Sequence, residues 1–270
     1  MRRFGIIVLA CLCLPLAAKQ RVTAYPADSA ANTGTAVIVC PGGSYSWLGM
    51  KEEGLEVAKW LQANGINAFL LRYRVANVSA YMFGYRVLGL GNRYPKMLTD
   101  VEQTLQQVYE AADSLHIDPA KIGVMGFSAG GHLTMMSYTH NRTDYKPSFL
   151  CPIYPVVTMS DERYVHKRSR RGALGVWGQW KESMRDSLSI EQHIDADCPP
   201  VFMVACEDDM VVKPQNAELL DSVLTVNKVP HTYLRYHTGG HGFGASETKG
   251  TEESRQWKNE FLQWISNLNQ

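Results

Sequence analysis

The sequence has almost no net charge, few cysteines and no apolar run long enough to span a membrane, and each shortage narrows what the chain is. Lys and Arg number 27 against 26 Asp and Glu. No global field therefore steers the chain toward nucleic acid or an anionic membrane, and a neutral or small polar ligand is the default partner. Of the 6 cysteines, Cys11 and Cys13 fall in the N-terminal segment, and Cys40, Cys151 and Cys206 sit in or beside the apolar runs AVIVC, SFLCPI and VFMVAC. With Cys198 they read as buried small hydrophobes and not as a disulfide framework. His132, His140 and His166 show neither the H-x-x-x-H nor the Cys/His spacing of a zinc site, so no metal and no cofactor is expected.

What is present fits one globular domain. A chain of 270 residues with 45% hydrophobic content is long enough for one substantial core and short for two. Arg2 and Arg3 precede an uncharged, largely apolar run from Phe4 to Ala18, which ends at Lys19. That run is shorter than the roughly 20 residues a membrane-spanning helix needs, and its basic start and small-residue end suit a cleaved secretory signal over 1–18. The expected location is secreted or periplasmic, with no stable membrane insertion after cleavage. A lipid anchor at Cys11 is the lesser alternative.

Six short apolar runs, at 35–40, 66–73, 121–127, 148–154, 200–206 and 231–237, read as buried strands. Between them lie helical periodicities, as in Leu98, Val101, Leu105, Val108, Ala112 and Leu115, and at the C-terminus Trp257, Phe261, Trp264 and Leu268. Alternating strands and helices imply an α/β fold, a mostly parallel twisted sheet with helices on both faces. Two long connections leave strand ends, 74–95 and 155–197. Ligands bind outside the carboxyl ends of such strands, so both segments are expected to wall a pocket, and 155–197 to form a lid or insertion.

Gly126 to Gly131, GFSAGG, follows the strand KIGVM and precedes the helix-compatible HLTMMSYTH. Strand, sharp turn and helix are the context of a G-x-S-x-G nucleophile elbow, with Ser128 at its tip. Serine needs a base and an orienting acid, expected later in the chain in the order acid, histidine. The strand PVFMVAC runs straight into Glu207, Asp208 and Asp209, and all three are candidates for the acid. Among His231, His237 and His241, only His241 lies in a glycine-rich loop, TGGHGFG, after the last strand. Such a loop can carry an imidazole over the sheet, so His241 is the expected base.

With these residues in this order the chain resembles the α/β-hydrolases, and within them the secreted bacterial esterases related to acetylxylan esterases. The stretches that carry the likeness are VIVCPGGSY, KEEGLEVAKWLQANGINAFLLRYR, IDPAKIGVMGFSAGGHL, VHKRSRRGALG and GGHGFG. The resemblance singles out Asp209, because MVVKP matches the tail usual after the acid, with Asp208 next. It also implies an oxyanion hole made by the backbone N–H groups of Gly43, Ser44 and Ala129. Departures from the family pattern are Ser44 and Arg168, each where relatives commonly have glycine, and the 74–95 segment.

The implied activity is hydrolysis of short-acyl, chiefly acetyl, esters on carbohydrate such as xylan fragments. Tyr45 and Trp177 are candidate substrate-binding residues, and Trp47, Tyr81, Phe83, Tyr85 and Trp180 are further rings able to stack on sugars. The basic stretch RYVHKRSRRG reads as a solvated or salt-bridged face, or as an attractor for an acidic sugar. The alternatives are a prolyl-oligopeptidase-like peptidase, whose usual propeller has no room here, and a non-catalytic carbohydrate-binding homologue.

Overall fold

The computed structural model describes residues 21–76 and 93–268. The expected signal at 1–18, most of the 74–95 connection, and Tyr81, Phe83 and Tyr85 lie outside the described residues. Seven strands form one sheet in the order β1-β3-β2-β4-β5-β6-β7. They are β1 (Val22–Tyr25), β2 (Ala36–Cys40), β3 (Asn67–Leu71), β4 (Ile122–Phe127), β5 (Phe149–Ile153), β6 (Val201–Cys206) and β7 (His231–Tyr236). The six strands expected from the sequence run parallel, and β1 closes one edge antiparallel to β3, with Val22 opposite Leu71.

The helices are α1 (Glu56–Ala63), α2 (Lys96–Glu110), α3 (Ala129–Thr139), α4 (Lys167–Gly178), α5 (Glu182–Ser187), α6 (Gln215–Val226), α7 (Glu252–Arg255) and α8 (Trp257–Leu268). Period-two alternation along the strands divides the core between two faces. Ile38 and Val124 pack with Leu98, Val101 and Leu105 of α2, Leu133 of α3 and Leu220 of α6. Val37, Val39 and Phe202 pack on the other side with Val57 and Leu61 of α1 and Trp257, Phe261 and Ile265 of α8. At about 1.5–3 kcal/mol for each fully buried large apolar side chain, these two layers hold the sheet rigid beneath the loops at its end. Cys40, Cys151, Cys198 and Cys206 are all buried free thiols within these layers.

The topology places the site. The chain runs from β2 outward to β3, then crosses back to β4 on the other side of β2. The order therefore reverses between β2 and β4, and a crevice opens at their carboxyl ends. Cys40 at the end of β2 pairs with Gly126 in β4. The CPGGSY loop and the Ser128 turn thus leave the sheet side by side. The 155–197 connection contains α4 and α5, and α4 passes close to the loop after β2: a Cβ on Gly172 would sit 2.1 Å from the Ser44 carbonyl oxygen.

Candidate active site

Ser128 stands between β4 and α3 with φ 56° and ψ −119°. A non-glycine residue held there stores about 1–3 kcal/mol of strain, sustained by the surrounding packing. Two backbone bonds pin the turn, from the Ser128 amide to Ile153 O at 2.9 Å and from the Val156 amide to Ser128 O at 3.2 Å. The flanking glycines are needed for close approach. A Cβ on Gly126 would meet Gly130 O at 2.2 Å, and one on Gly130 would meet Cys40 O at 2.0 Å.

The Ser128 hydroxyl lies 2.9 Å from His241 Nε2, and His241 Nδ1 lies 2.6 Å from Asp209 Oδ2. Asp209 accepts at Nδ1, which leaves Nε2 as the acceptor for the serine hydroxyl. The other Asp209 oxygen accepts the amides of Val211 and Val212 at 2.8 and 2.9 Å. The short tail after the acid is thereby its own hydrogen-bond donor. The competing carboxylates point elsewhere. Asp208 accepts the Gly239 and Gly240 amides at 3.2 and 2.8 Å, bracing the histidine loop, and Glu207 pairs with Arg235 at 3.0 Å. His231 bonds Asp221 and the Val229 carbonyl, and His237 bonds Glu253.

After β2 the backbone turns through positive φ at three successive residues, Gly43 (131°), Ser44 (55°) and Tyr45 (57°). Among the described residues, the amides of Gly43, Ser44, Tyr45 and Ala129 donate to no protein acceptor, whereas the Gly42, Ser46 and Trp47 amides are bonded. The Ala129 amide also opens α3, where the helix dipole favours negative charge.

Two expectations for the binding surface diverge. Tyr45 is not a substrate platform: it is 0% exposed, its hydroxyl bonds His132 Nδ1 at 2.7 Å and its ring packs edge-on to Tyr73. The left-handed backbone at Tyr45 turns the ring inward, under the loop. Trp177 is exposed on α4, beyond the break at Gly175, as is Trp180 past the helix end, and Trp47 is partly exposed. The Arg168 guanidinium lies 5.6 Å from the Trp47 ring centroid. Within the basic stretch Arg163 pairs with Asp161 and Arg170 with Glu162.

His132 is fully buried, its Nε2 2.7 Å from the Leu188 carbonyl, and desolvation pushes it down to about 4. A neutral imidazole donating at Nε2 and accepting from Tyr45 at Nδ1 satisfies both partners. His166 bonds Ser169, and burial, aided by His241 and Arg168, also pushes it down to about 4. His140 bonds Thr139 and the Ser187 carbonyl. Among the described residues no group of His, Cys, Asp and Glu side chains has the geometry to hold a metal. Two buried residues beside the triad escaped the sequence reading, Glu53 and Tyr154, the latter with its ring centroid 4.6 Å from that of His241. The only sequence signal was an acidic pair in KEEGLEVA and a tyrosine at a strand end.

A mostly parallel sheet whose order reverses at β2 and β4, with a serine elbow, an acid after β6 and a histidine after β7, is an α/β-hydrolase fold. The chain belongs to the BD-FAE family, whose model matches residues 24–224. It is 31% identical over 220 residues to an acetylxylan esterase of Xylanibacter ruminicola, a match covering 78% of this chain and 42% of that protein. The chain thus spans about two fifths of that relative's length. An acetyl ester-xyloside bifunctional hydrolase from Caldicellulosiruptor lactoaceticus superposes with a TM-score of 0.78 at 27% identity, over 92% of this chain and 87% of that one. A carboxylesterase from Lactobacillus plantarum WCFS1 shares the fold, with a TM-score of 0.74 at 20% identity over 94% and 95% of the two chains.

Proposed function

We propose that this chain is a serine carboxylic ester hydrolase acting on short-acyl esters, chiefly acetyl groups on carbohydrate such as xylan fragments. The observation that carries the reading is the continuous hydrogen-bonded path from Asp209 through His241 to Ser128, beside the Gly43, Ser44 and Ala129 amides, which donate to no acceptor among the described residues. The path supplies an activated nucleophile, and the amides supply donors where negative charge develops.

In this mechanism His241 Nε2 takes the Ser128 proton as Oγ attacks the ester carbonyl carbon. The resulting oxyanion accepts from the Gly43, Ser44 and Ala129 amides. The intermediate collapses as the alkoxide leaves with the proton from Nε2, giving an acyl-serine and the free alcohol. Water, deprotonated by the same nitrogen, attacks the acyl carbon; collapse breaks the bond to Ser128 Oγ, which takes the proton back from Nε2, and releases the acid. Asp209 holds Nδ1–H throughout and stabilises the imidazolium. Each oxyanion donor contributes about a hundred- to a thousandfold in rate. The acetyl preference draws on the likeness to an acetylxylan esterase and on Ser44, a residue 5% exposed whose amide is a proposed oxyanion donor and whose side chain a glycine would lack. Trp47 and Trp177 offer exposed rings for sugar stacking, and residues 1–18 direct export to a secreted or periplasmic location.

The test is acid release from a short-acyl aryl ester, from acetylated xylo-oligosaccharides and from a peptide series, with Ser128→Ala alongside. The reading requires hydrolysis of both ester types that is lost in Ser128→Ala, and no cleavage of peptides. Acid release equal in the two proteins refutes it.

A further inference from the structure

Glu53 lies on the π-helical turn Lys51–Leu55 that leads into α1, and the residue is 7% exposed. Its Oε2 accepts the Gly42 amide at 2.9 Å, and its Oε1 accepts the Tyr154 hydroxyl at 3.0 Å. That hydroxyl in turn accepts the Gly244 amide at 3.0 Å. One carboxylate is therefore tied to the loop after β2, one residue before Gly43, and to the loop after β7, three residues past His241. The Tyr154 ring bridges the gap and lies against the His241 ring. Tyr154 is itself held at φ 38° on the exit of β5, the position whose neighbour Ile153 accepts the Ser128 amide.

The fit is tight on every side. A Cβ on Gly42 or Gly49 would meet Glu53 Oε2 at 2.7 or 2.6 Å, and one on Gly244 would meet Glu52 O at 2.1 Å. From the other side the Trp257 indole N–H donates to Gly244 O at 3.0 Å, and the Ala245 amide donates to Glu52 O at 3.0 Å. Both Glu53 oxygens accept, so the pattern suits the ionised form, yet among the described residues no Lys or Arg pairs with it. Burial pushes the Glu53 carboxyl above its usual range, partly offset by His241, Tyr154 and Gly42. A buried carboxylate without a cation costs stability. Its retention here needs a role that an apolar side chain cannot fill.

We propose that Glu53 is a positioning residue for ester hydrolysis, a strut that sets the oxyanion loop and, through the Tyr154 hydroxyl, the His241 loop at fixed distances from Ser128. This rests on the serine-hydrolase reading above. Glu53→Gln keeps the shape but turns an NH2 toward either the Gly42 amide or the Tyr154 hydroxyl. Tyr154→Phe keeps the ring on His241 and removes the link between Glu53 and Gly244. Displacing reacting groups by about 1 Å costs on the order of a hundredfold.

The experiment measures kcat and KM on a short-acyl aryl ester for Glu53→Gln, Tyr154→Phe, the double variant and Ser128→Ala. Rates for the first three are expressed per Ser128 titrated with a fluorophosphonate, so loss of folded protein does not enter. Each single variant should lose about 10- to 100-fold in kcat, with KM within about threefold of the parent. Because the two act as one unit, the double variant should be no slower than the slower single. Parental kcat in either single variant, a loss confined to KM, or losses that multiply in the double variant would overturn the role of Glu53. Parental turnover in Ser128→Ala would instead overturn the serine-hydrolase reading itself.

Discussion

Replacing Asp209 by Asn tests the assignment of the acid, because the geometry dictates how the amide must sit. One Asp209 oxygen is held by the Val211 and Val212 amides, so an asparagine there turns its carbonyl oxygen to those donors and its NH2 to His241 Nδ1. A donor facing Nδ1 forces that nitrogen to accept, which moves the ring proton to Nε2, opposite Ser128 Oγ. The imidazole is then in the wrong tautomer to take the serine proton. The comparable substitution in a serine protease lowers kcat by about 10⁴, which corresponds to about 5 kcal/mol of transition-state stabilisation. Asp208→Asn is the control. Its Oδ1 accepts the Gly240 amide and its Oδ2 the Gly239 amide, so asparagine keeps one of these bonds, loses the other, and leaves His241 Nδ1 on Asp209. The expected loss there is below about tenfold, the range of a weakened loop brace. The assay is kcat on a short-acyl aryl ester with active sites titrated. Equal losses, or a larger loss in Asp208→Asn, would refute the reasoning.

Three further outcomes follow from other parts of the molecule. Gly130→Ala should lower the unfolding free energy by about 3 kcal/mol or more, read from urea midpoints, because its Cβ would lie 2.0 Å from Cys40 O and 2.7 Å from Pro41 O, both backbone atoms; a change below about 1 kcal/mol, the size of an ordinary point substitution, would contradict the close approach. His132 is neutral when folded and pushed down to about 4, so its contribution is complete above the ordinary histidine value of 6.5 and is lost as pH falls from there to about 4. The unfolded chain takes up the proton first, and the loss amounts to up to about 3 kcal/mol; a urea midpoint whose pH dependence is the same in His132→Asn as in the parent would contradict this. Ser44→Gly should lower the ratio of acetyl to butyryl ester turnover by opening the acyl site, and an unchanged ratio would remove Ser44 from acyl selection.

Much of the fold was legible because buried parallel strands are nearly continuous β-branched and aromatic runs, as in AVIVC and VFMVAC. β1 was not legible. VTAY is short and mostly solvent-facing at the sheet edge, and only its pairing with β3 makes it a strand. The elbow at Ser128 could be read locally because strand, turn and helix are contiguous. The acid could not, since Glu207, Asp208 and Asp209 are adjacent in sequence and differ only in the direction each side chain takes from one turn. Tyr45 was misread because residue type does not reveal that a left-handed backbone turns a ring inward. Glu53 and Tyr154 meet across 101 residues of chain, and no local pattern encodes that contact.

The central claim, that Ser128 carries the acyl group during turnover, is tested most directly by acid-quenching the enzyme during hydrolysis of an acetyl ester and locating the modification by peptide mass spectrometry. The account predicts one acetyl group on Ser128 in the parent protein and none in Ser128→Ala. An acetyl group on another residue, or steady turnover with no acyl-enzyme and an active Ser128→Ala, would contradict it.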